Sequence, residues 1–207
     1  KALEAQIKPH FLYNTLATIS WAARKASAPE IVNIANSLAK FYRLVLNKGS
    51  TMIPVKDEVD MVRAYLEIQK IRHENLFDVA YQIEDEVTSY HIMKNILQPL
   101  AENALDHGIA PKRDHGTIMC KIYAHSGRLV IQVTDDGVGM KEEILMQVKE
   151  GNAQSSTGSG YALKNIMERL RSCYGDGHTF DIFSRMGIGT VVTISIDLNC
   201  VDFQHHS

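Results

Sequence analysis

His10 lies in the run Gln6-Ile7-Lys8-Pro9-His10-Phe11-Leu12-Tyr13-Asn14. An imidazole with a pKa near ~6.5 is largely neutral at pH 7, so a ring nitrogen can attack an electrophilic phosphorus without a strong base. Asn14 follows one helical turn later on the same face, where its amide can orient the ring or, later, a water molecule. Phe11 occupies the position directly after the histidine, so no carboxylate stands beside it to take the proton.

Four other stretches carry chemistry. In Leu100-Ala101-Glu102-Asn103-Ala104-Leu105-Asp106-His107, the apolar residues claim one helix face and leave Asn103 and His107 one turn apart on another. An amide oxygen such as that of Asn103 is a hard ligand suited to Mg2+. Asp135-Asp136-Gly137-Val138-Gly139 follows an alternating apolar run, which puts a carboxylate at a strand end. Asp135 there can accept from an amino group such as that of adenine, and Gly137 and Gly139 allow the backbone to turn and approach a ligand. Gly158-Ser159-Gly160 precedes a helical pattern containing Leu163, and glycines at a helix start expose N–H groups that can cradle phosphate. No Gly-Lys-Ser/Thr follows, so this is not a Walker A loop. Gly187-Ile188-Gly189-Thr190 reads as a hairpin of small residues before the final strand.

The elements that must position these groups change character along the chain. Residues 3–24 lack glycine, with Leu12, Leu16, Ile19 and Ala23 on one stripe and Leu3, Ile7 and Trp21 nearly opposite. A helix apolar on two sides needs cover on two sides, which predicts a bundle formed by two chains. Ser27-Ala28-Pro29-Glu30 predicts a capping box opening a second helix, and residues 56–74 a third with Val59, Val62, Leu66 and Gln69 on one side. Trp21, Tyr42 and Tyr65 read as core. Beyond position 75 the pattern predicts a strand over 77–83, a helix over 90–107, strands over 118–122 and 129–133, a helix over 161–174, and strands over 179–184 and 190–198. Mixed in this way, they predict an α+β sandwich with helices on one face of the sheet.

Composition narrows the function classes. The chain is 45% hydrophobic and 22% charged, as in folded domains, and its net charge of −2 gives no reason to expect nucleic acid as a partner. Any bound anion must therefore be held by a local site. Cys120, Cys173 and Cys200 lack metal-binding spacing and read as reduced thiols. No apolar run approaches the ~20 residues needed to span a bilayer, and the abrupt start within a helical pattern suggests a piece of a longer protein.

Taken in order, the four stretches resemble the N, G1, G2 and G3 boxes of the GHKL ATP-binding fold, over residues 76–198. The resemblance assigns Asn103 to Mg2+, Asp135 to adenine, and residues 140–158 to a lid over the triphosphate. Gly137, Gly139, Gly158, Gly160, Leu163, Gly189, Thr190 and His107 complete the expected ATP site. The sequence departs from the pattern at Asp106, where histidine kinases usually carry a basic residue, and at Ala162, which replaces a glycine. By themselves these boxes also fit a catalytically silent nucleotide-binding module or a GHKL serine kinase. The N-terminal run around His10 is similar to the acceptor helix of LytS/YesM-type sensor histidine kinases, and Leu66-Glu67-Ile68-Gln69-Lys70-Ile71-Arg72 resembles the segment before their ATPase domain.

That resemblance implies ATP-dependent phosphorylation of His10, with Asn14 beside it, and transfer to the receiver domain of a response regulator. The implied organisation is a helical hairpin over residues 1–50 that dimerises as a four-helix bundle and a helical connector over 51–75. A GHKL-type α/β sandwich with a mixed, largely antiparallel sheet follows over 76–207. It implies a cytoplasmic domain of a bacterial membrane receptor, joined to the membrane through upstream segments.

Overall fold

From position 9 the absence of glycine and the 3–4 spacing of apolar residues produce helix α1 (Pro9–Lys25), whose last turn carries Arg24 and Lys25 at the negative end of its dipole. The computed structural model describes residues 9–46, 50–74, 76–150 and 159–201, with 159–161 described by their backbone. The expected contributions of Leu3 and Ile7 lie outside these residues. Ser27 adopts a left-handed φ of 54° and reverses the chain into α2 (Pro29–Val45), with Pro29 at its first turn, where a missing N–H is harmless. The expected capping box does not form. The N-cap falls on Ala28, which has no side-chain acceptor, because Ser27 serves as the turn residue instead. Leu16, Ser20 and Ala23 of α1 and Ala35 of α2 are buried, and the Ser20 hydroxyl donates to Asn36 Oδ1 at 3.1 Å. Trp21, expected in a core, is 64% exposed in this single chain, with the Lys25 ammonium over its ring.

The connection out of the hairpin passes through a short strand, β1 (Met52–Pro54), into α3 (Val55–Arg72). α2 packs along α3, with Lys40 paired to Asp60 at 3.0 Å and the Phe41 and Tyr65 rings 6.5 Å apart. Val59, Val62 and Leu66 of α3 are buried in the same cluster as the main sheet. The helix expected as a connector thus supplies its apolar stripe to that core.

The sequence after position 76 builds β2 (Phe77–Ile83), β3 (His91–Met93), α4 (Leu97–Asn103), β4 (Gly116–His125), β5 (Arg128–Asp135), α5 (Glu142–Lys149), α6 (Ser159–Tyr174), β6 (His178–Arg185) and β7 (Gly189–Asp197). Five strands form one sheet in the order β2-β4-β5-β7-β6. Only β2 and β4 are parallel, and parallel neighbours require the long crossover that holds β3 and α4. Ile118, Cys120 and Ile122, Leu129, Ile131 and Val133, and Val192, Ile194 and Ile196 point to one face. There they meet Leu97, Leu100 and Ala101 of α4 and Leu163, Ile166 and Leu170 of α6. The opposite face is polar, with Arg128 bonded to Ser195 and Gln132 to Thr193. This is the α+β sandwich expected, with helices on one face of a largely antiparallel sheet.

One expected element is corrected. Residues 90–107 are not a continuous helix. His91–Met93 pairs antiparallel with Met52–Pro54, Asn95 takes a left-handed φ of 59°, and α4 begins only at Leu97. The helix then widens into a π-turn over Ala104–Ile109. Ile92 and Met93 are buried in this extended form, and the Met93 N–H donates to Tyr174 Oη at 2.7 Å, a contact that local periodicity does not encode.

Candidate functional site

Asp135 ends β5 directly opposite Thr190 on β7. Its Oδ1 accepts the Gly137 N–H at 2.9 Å, and the Thr190 N–H also bonds to it. Burial pushes the carboxyl pKa up to about 6, against the lowering effect of those two N–H groups. The group is therefore a strong acceptor at pH 7, held in an apolar wall that includes Val133, Val192 and Leu163.

Three loops close around this carboxylate, and glycines let them touch. A Cβ on Gly137 would lie 2.2 Å from the Gly108 carbonyl carbon, and one on Gly108 would lie 2.5 Å from Asp135 Oδ1. The Val138 N–H donates to the Gly108 carbonyl at 3.0 Å, locking the end of the π-turn to the loop after β5. Gly189, at φ 128°, lies against the Asp135 carbonyl, where a Cβ would come within 1.9 Å. Gly139, at φ 65°, is pressed equally closely on the Arg185 carbonyl. Ser184 ties the remaining edge. It receives the Met140 N–H at 2.8 Å and donates to the Gly189 carbonyl at 3.1 Å, so the Thr190 hydroxyl, 2.9 Å away, must donate to it.

The result is a cavity of about 310 Å3. Asn103 and His107 line one wall from successive turns, Asp135, Gly139 and Thr190 another, and Met140 with Ile144 and Val148 of α5 closes it. Asn103 Nδ2 donates to the Pro99 carbonyl at 2.7 Å, which fixes the amide and leaves its oxygen as the acceptor. Among the described residues no cluster of three or more His, Cys, Asp or Glu is placed to hold a metal ion. One hard amide oxygen fits Mg2+, which takes phosphate and water as its other ligands. Gly158 lies outside the described residues, and Gly160 sits in the first turn of α6.

His10 is not among the residues lining this cavity. It is exposed on α1, and Asn14 Nδ2 lies 3.4 Å from its Nδ1 and 3.3 Å from its Nε2. An atom almost equidistant from both nitrogens sits over the ring face, so Asn14 packs on the imidazole. The sequence brought Asn103, His107, Asp135, Gly137, Gly139, Leu163, Gly189 and Thr190 to notice; all but Gly137 and Gly189 line the cavity, and those two pack behind it against Gly108 and Asp135. Gly108 and Ser184 were missed. The His107-Gly108 pair at the end of a helical pattern was a usable signal for the first, whereas Ser184 carried none.

Residues 1–77 match the model of the histidine kinase family, and residues 88–199 match that of histidine kinase-, DNA gyrase B- and HSP90-like ATPases. Over 196 residues the chain is 36% identical to the sensor histidine kinase YesM of Bacillus subtilis, covering 95% of this chain and 33% of that protein. The chain belongs to the family of histidine kinase-, DNA gyrase B- and HSP90-like ATPases. A sensor protein LytS of Bacillus cereus is 34% identical over 197 residues, again 95% of this chain and 33% of the relative. The chain thus spans about one third of the length of the curated relatives it matches. The histidine kinase domain of the Erythrobacter litoralis EL346 blue-light activated histidine kinase superposes with a TM-score of 0.55 at 17% identity, over 93% of this chain and 94% of that one. Full-length ShkA in complex with AMPPNP gives 0.53 at 20% identity, over 85% and 37%. These likenesses show the fold. No helix among the described residues is long and apolar enough to cross a membrane.

Proposed function

We propose that this chain is the kinase core of a sensor histidine kinase, which binds ATP in the Asp135 cavity and transfers the γ-phosphoryl group to His10. One observation supports this above all. An exposed imidazole stands on one helical hairpin, while the cavity that suits a nucleotide stands on the other unit. Adenine donates its amino group to Asp135, and the phosphates run toward Asn103, His107 and the first turn of α6. Mg2+, with the Asn103 oxygen as a protein ligand, would neutralise phosphate charge. A neutral His10 nitrogen attacks the γ-phosphorus, the bond to the β-phosphate oxygen breaks, ADP leaves with the electron pair, and the ring proton passes to solvent. Catalysis is mainly positioning.

The same reading makes the active form a dimer through α1 and α2, and passes the phosphoryl group to an aspartate of a response regulator. It places the core on the cytoplasmic side of a bacterial membrane receptor. Incubation with γ-labelled ATP and Mg2+ tests it. An acid-labile, base-stable label that disappears in His10→Gln is expected. Nucleotide binding without covalent label would replace the proposal with a silent binding module, and an acid-stable label on a partner protein would replace it with a serine kinase.

A further inference from the structure

Every helix end leaves backbone groups that need partners, and where those partners come from decides which elements move together. The last turn of α2 is capped from a distance. Lys94 Nζ donates to the carbonyls of Leu44 at 3.0 Å and Val45 at 2.6 Å, and the Lys94 N–H donates to the Thr51 carbonyl at 2.9 Å. The start of α4 is also capped from a distance. Its N-cap, Ile96, has no capping side chain, and Glu58 of α3 supplies the acceptor instead, from 38 positions earlier. Glu58 is fully buried and receives the N–H groups of Asn95 at 3.0 Å, Ile96 at 2.6 Å and Leu97 at 2.9 Å. From α6, Arg169 donates to the Lys94 carbonyl and to the Asn95 carbonyl at 3.0 Å.

Lys94, Asn95 and Ile96 are therefore gripped at once by α2, α3 and α6, and the next residue begins α4. That helix is ~10 Å long and ends on Asn103. α6 opens on the Gly158-Ser159-Gly160 stretch. A local Ser or Asp at the N-cap would have served the stability of α4 alone. The turn also carries stored tension. Asn95 is left-handed, and its buried side-chain oxygen has no hydrogen-bond partner among the described residues.

We propose that this turn is the mechanical joint between the acceptor hairpin and the nucleotide cavity, with Glu58 and Arg169 as positioning residues for the helix that ends on Asn103 and Lys94 as the link from that turn to α2. The inference rests on nucleotide binding in the Asp135 cavity. A shift of the α2 C-terminus pulls on Lys94, and the pull reaches Asn103 through one short helix. In reverse, nucleotide contact with Asn103 tightens the end of α2.

Amide hydrogen exchange on this chain, with and without Mg-AMPPNP, tests the joint without requiring phosphoryl transfer. Nucleotide is expected to slow exchange at Leu44, Val45 and Leu46 by about fivefold or more, within the usual range of coupling between sites. Lys94→Met keeps the aliphatic stem and should abolish that response while leaving nucleotide affinity and the melting temperature close to wild type. Lys94→Arg should restore it. Normal nucleotide binding with no response at the end of α2, or an intact response in Lys94→Met, overturns the joint alone. A Lys94→Met protein that loses stability and affinity together assigns Lys94 a merely structural role and also overturns it. Failure of the wild-type chain to bind nucleotide would remove the parent function and the joint with it, so the two failures are distinguishable.

Discussion

The acceptor hairpin and the nucleotide unit solve the burial problem differently. The nucleotide unit closes its own core, with three helices laid on one sheet face and large side chains such as Phe77, Leu105 and Ile131 at most 1% exposed. The hairpin buries few residues and leaves Phe11, Ile19, Trp21 and Ile31 in solvent. Since a pair of helices covers only one stripe of each, the hairpin is complete only when another surface joins it. The cavity is thus a property of one chain, whereas on the proposed reading the geometry around His10 depends on assembly. A substitution in the first should act at any protein concentration. One in the second should act through concentration.

The largest effect is expected at the contact between loops. Gly137→Ala sets a Cβ 2.2 Å from the Gly108 backbone, which no side-chain rotation relieves. It should destabilise the nucleotide unit by about 3 kcal/mol or more and abolish nucleotide binding. Thermal melting and nucleotide titration would show this, at the same size in dilute and concentrated protein. A variant that melts and binds as wild type would mean the loops are not clamped as described.

The hairpin supplies the opposing case. Trp21→Glu touches nothing in the nucleotide unit, so its melting should not change. If the exposed face is where a second chain docks, the dimer should weaken by about 2 kcal/mol, roughly thirtyfold in dissociation constant. Sedimentation over a concentration series measures it. Unchanged self-association would move the partner surface off the Trp21 face.

This division also governs what could be read from sequence. Asp135, Gly137, Gly139 and Asn103 were legible because the chemistry of each is declared within a few residues of itself. The strands were legible because β4, β5 and β7 alternate cleanly over one buried face. The pairing of Met52–Pro54 with His91–Met93, the cap from Glu58 and the bonds of Ser184 were not, since each depends on a partner brought near only by the fold. The apolar rhythm across 90–107 misled because a left-handed Asn95 interrupts it without altering the spacing.

A smaller effect, tied to the cavity alone, follows from Asp135. Its folded pKa of about 6 lies above the ordinary 3.8, so the folded state holds the proton more tightly than the unfolded chain. Its contribution to stability is therefore complete below about 3.8 and is lost as pH rises through about 6. Nucleotide affinity should run the other way, because only the carboxylate accepts well from an amino group. Below about 6 affinity should fall by up to about tenfold per unit of pH. Asp135→Asn keeps an acceptor oxygen and should bind about tenfold more weakly at pH 8, with the pH dependence gone. Calorimetric titration between pH 5 and 8, values spanning ~6, decides it, and a wild-type affinity flat across that window would place the adenine elsewhere.

The smallest effect is the most informative about the hairpin. Ser20 donates to Asn36 at 3.1 Å, and Ser20 is buried while Asn36 is exposed in the single chain. Removing the hydroxyl in Ser20→Ala leaves the Asn36 oxygen free to bond water, so the loss should stay near ~0.5–1 kcal/mol. That limit holds only while water reaches Asn36. If the assembled protein seals this face, the abandoned oxygen bears a desolvation penalty and the loss rises to about 2 kcal/mol or more. Denaturant titrations of Ser20→Ala at low and high protein concentration separate the cases. A small, concentration-independent loss keeps Asn36 on the outside of the assembly, whereas a loss that grows as dimer forms would place it at the interface.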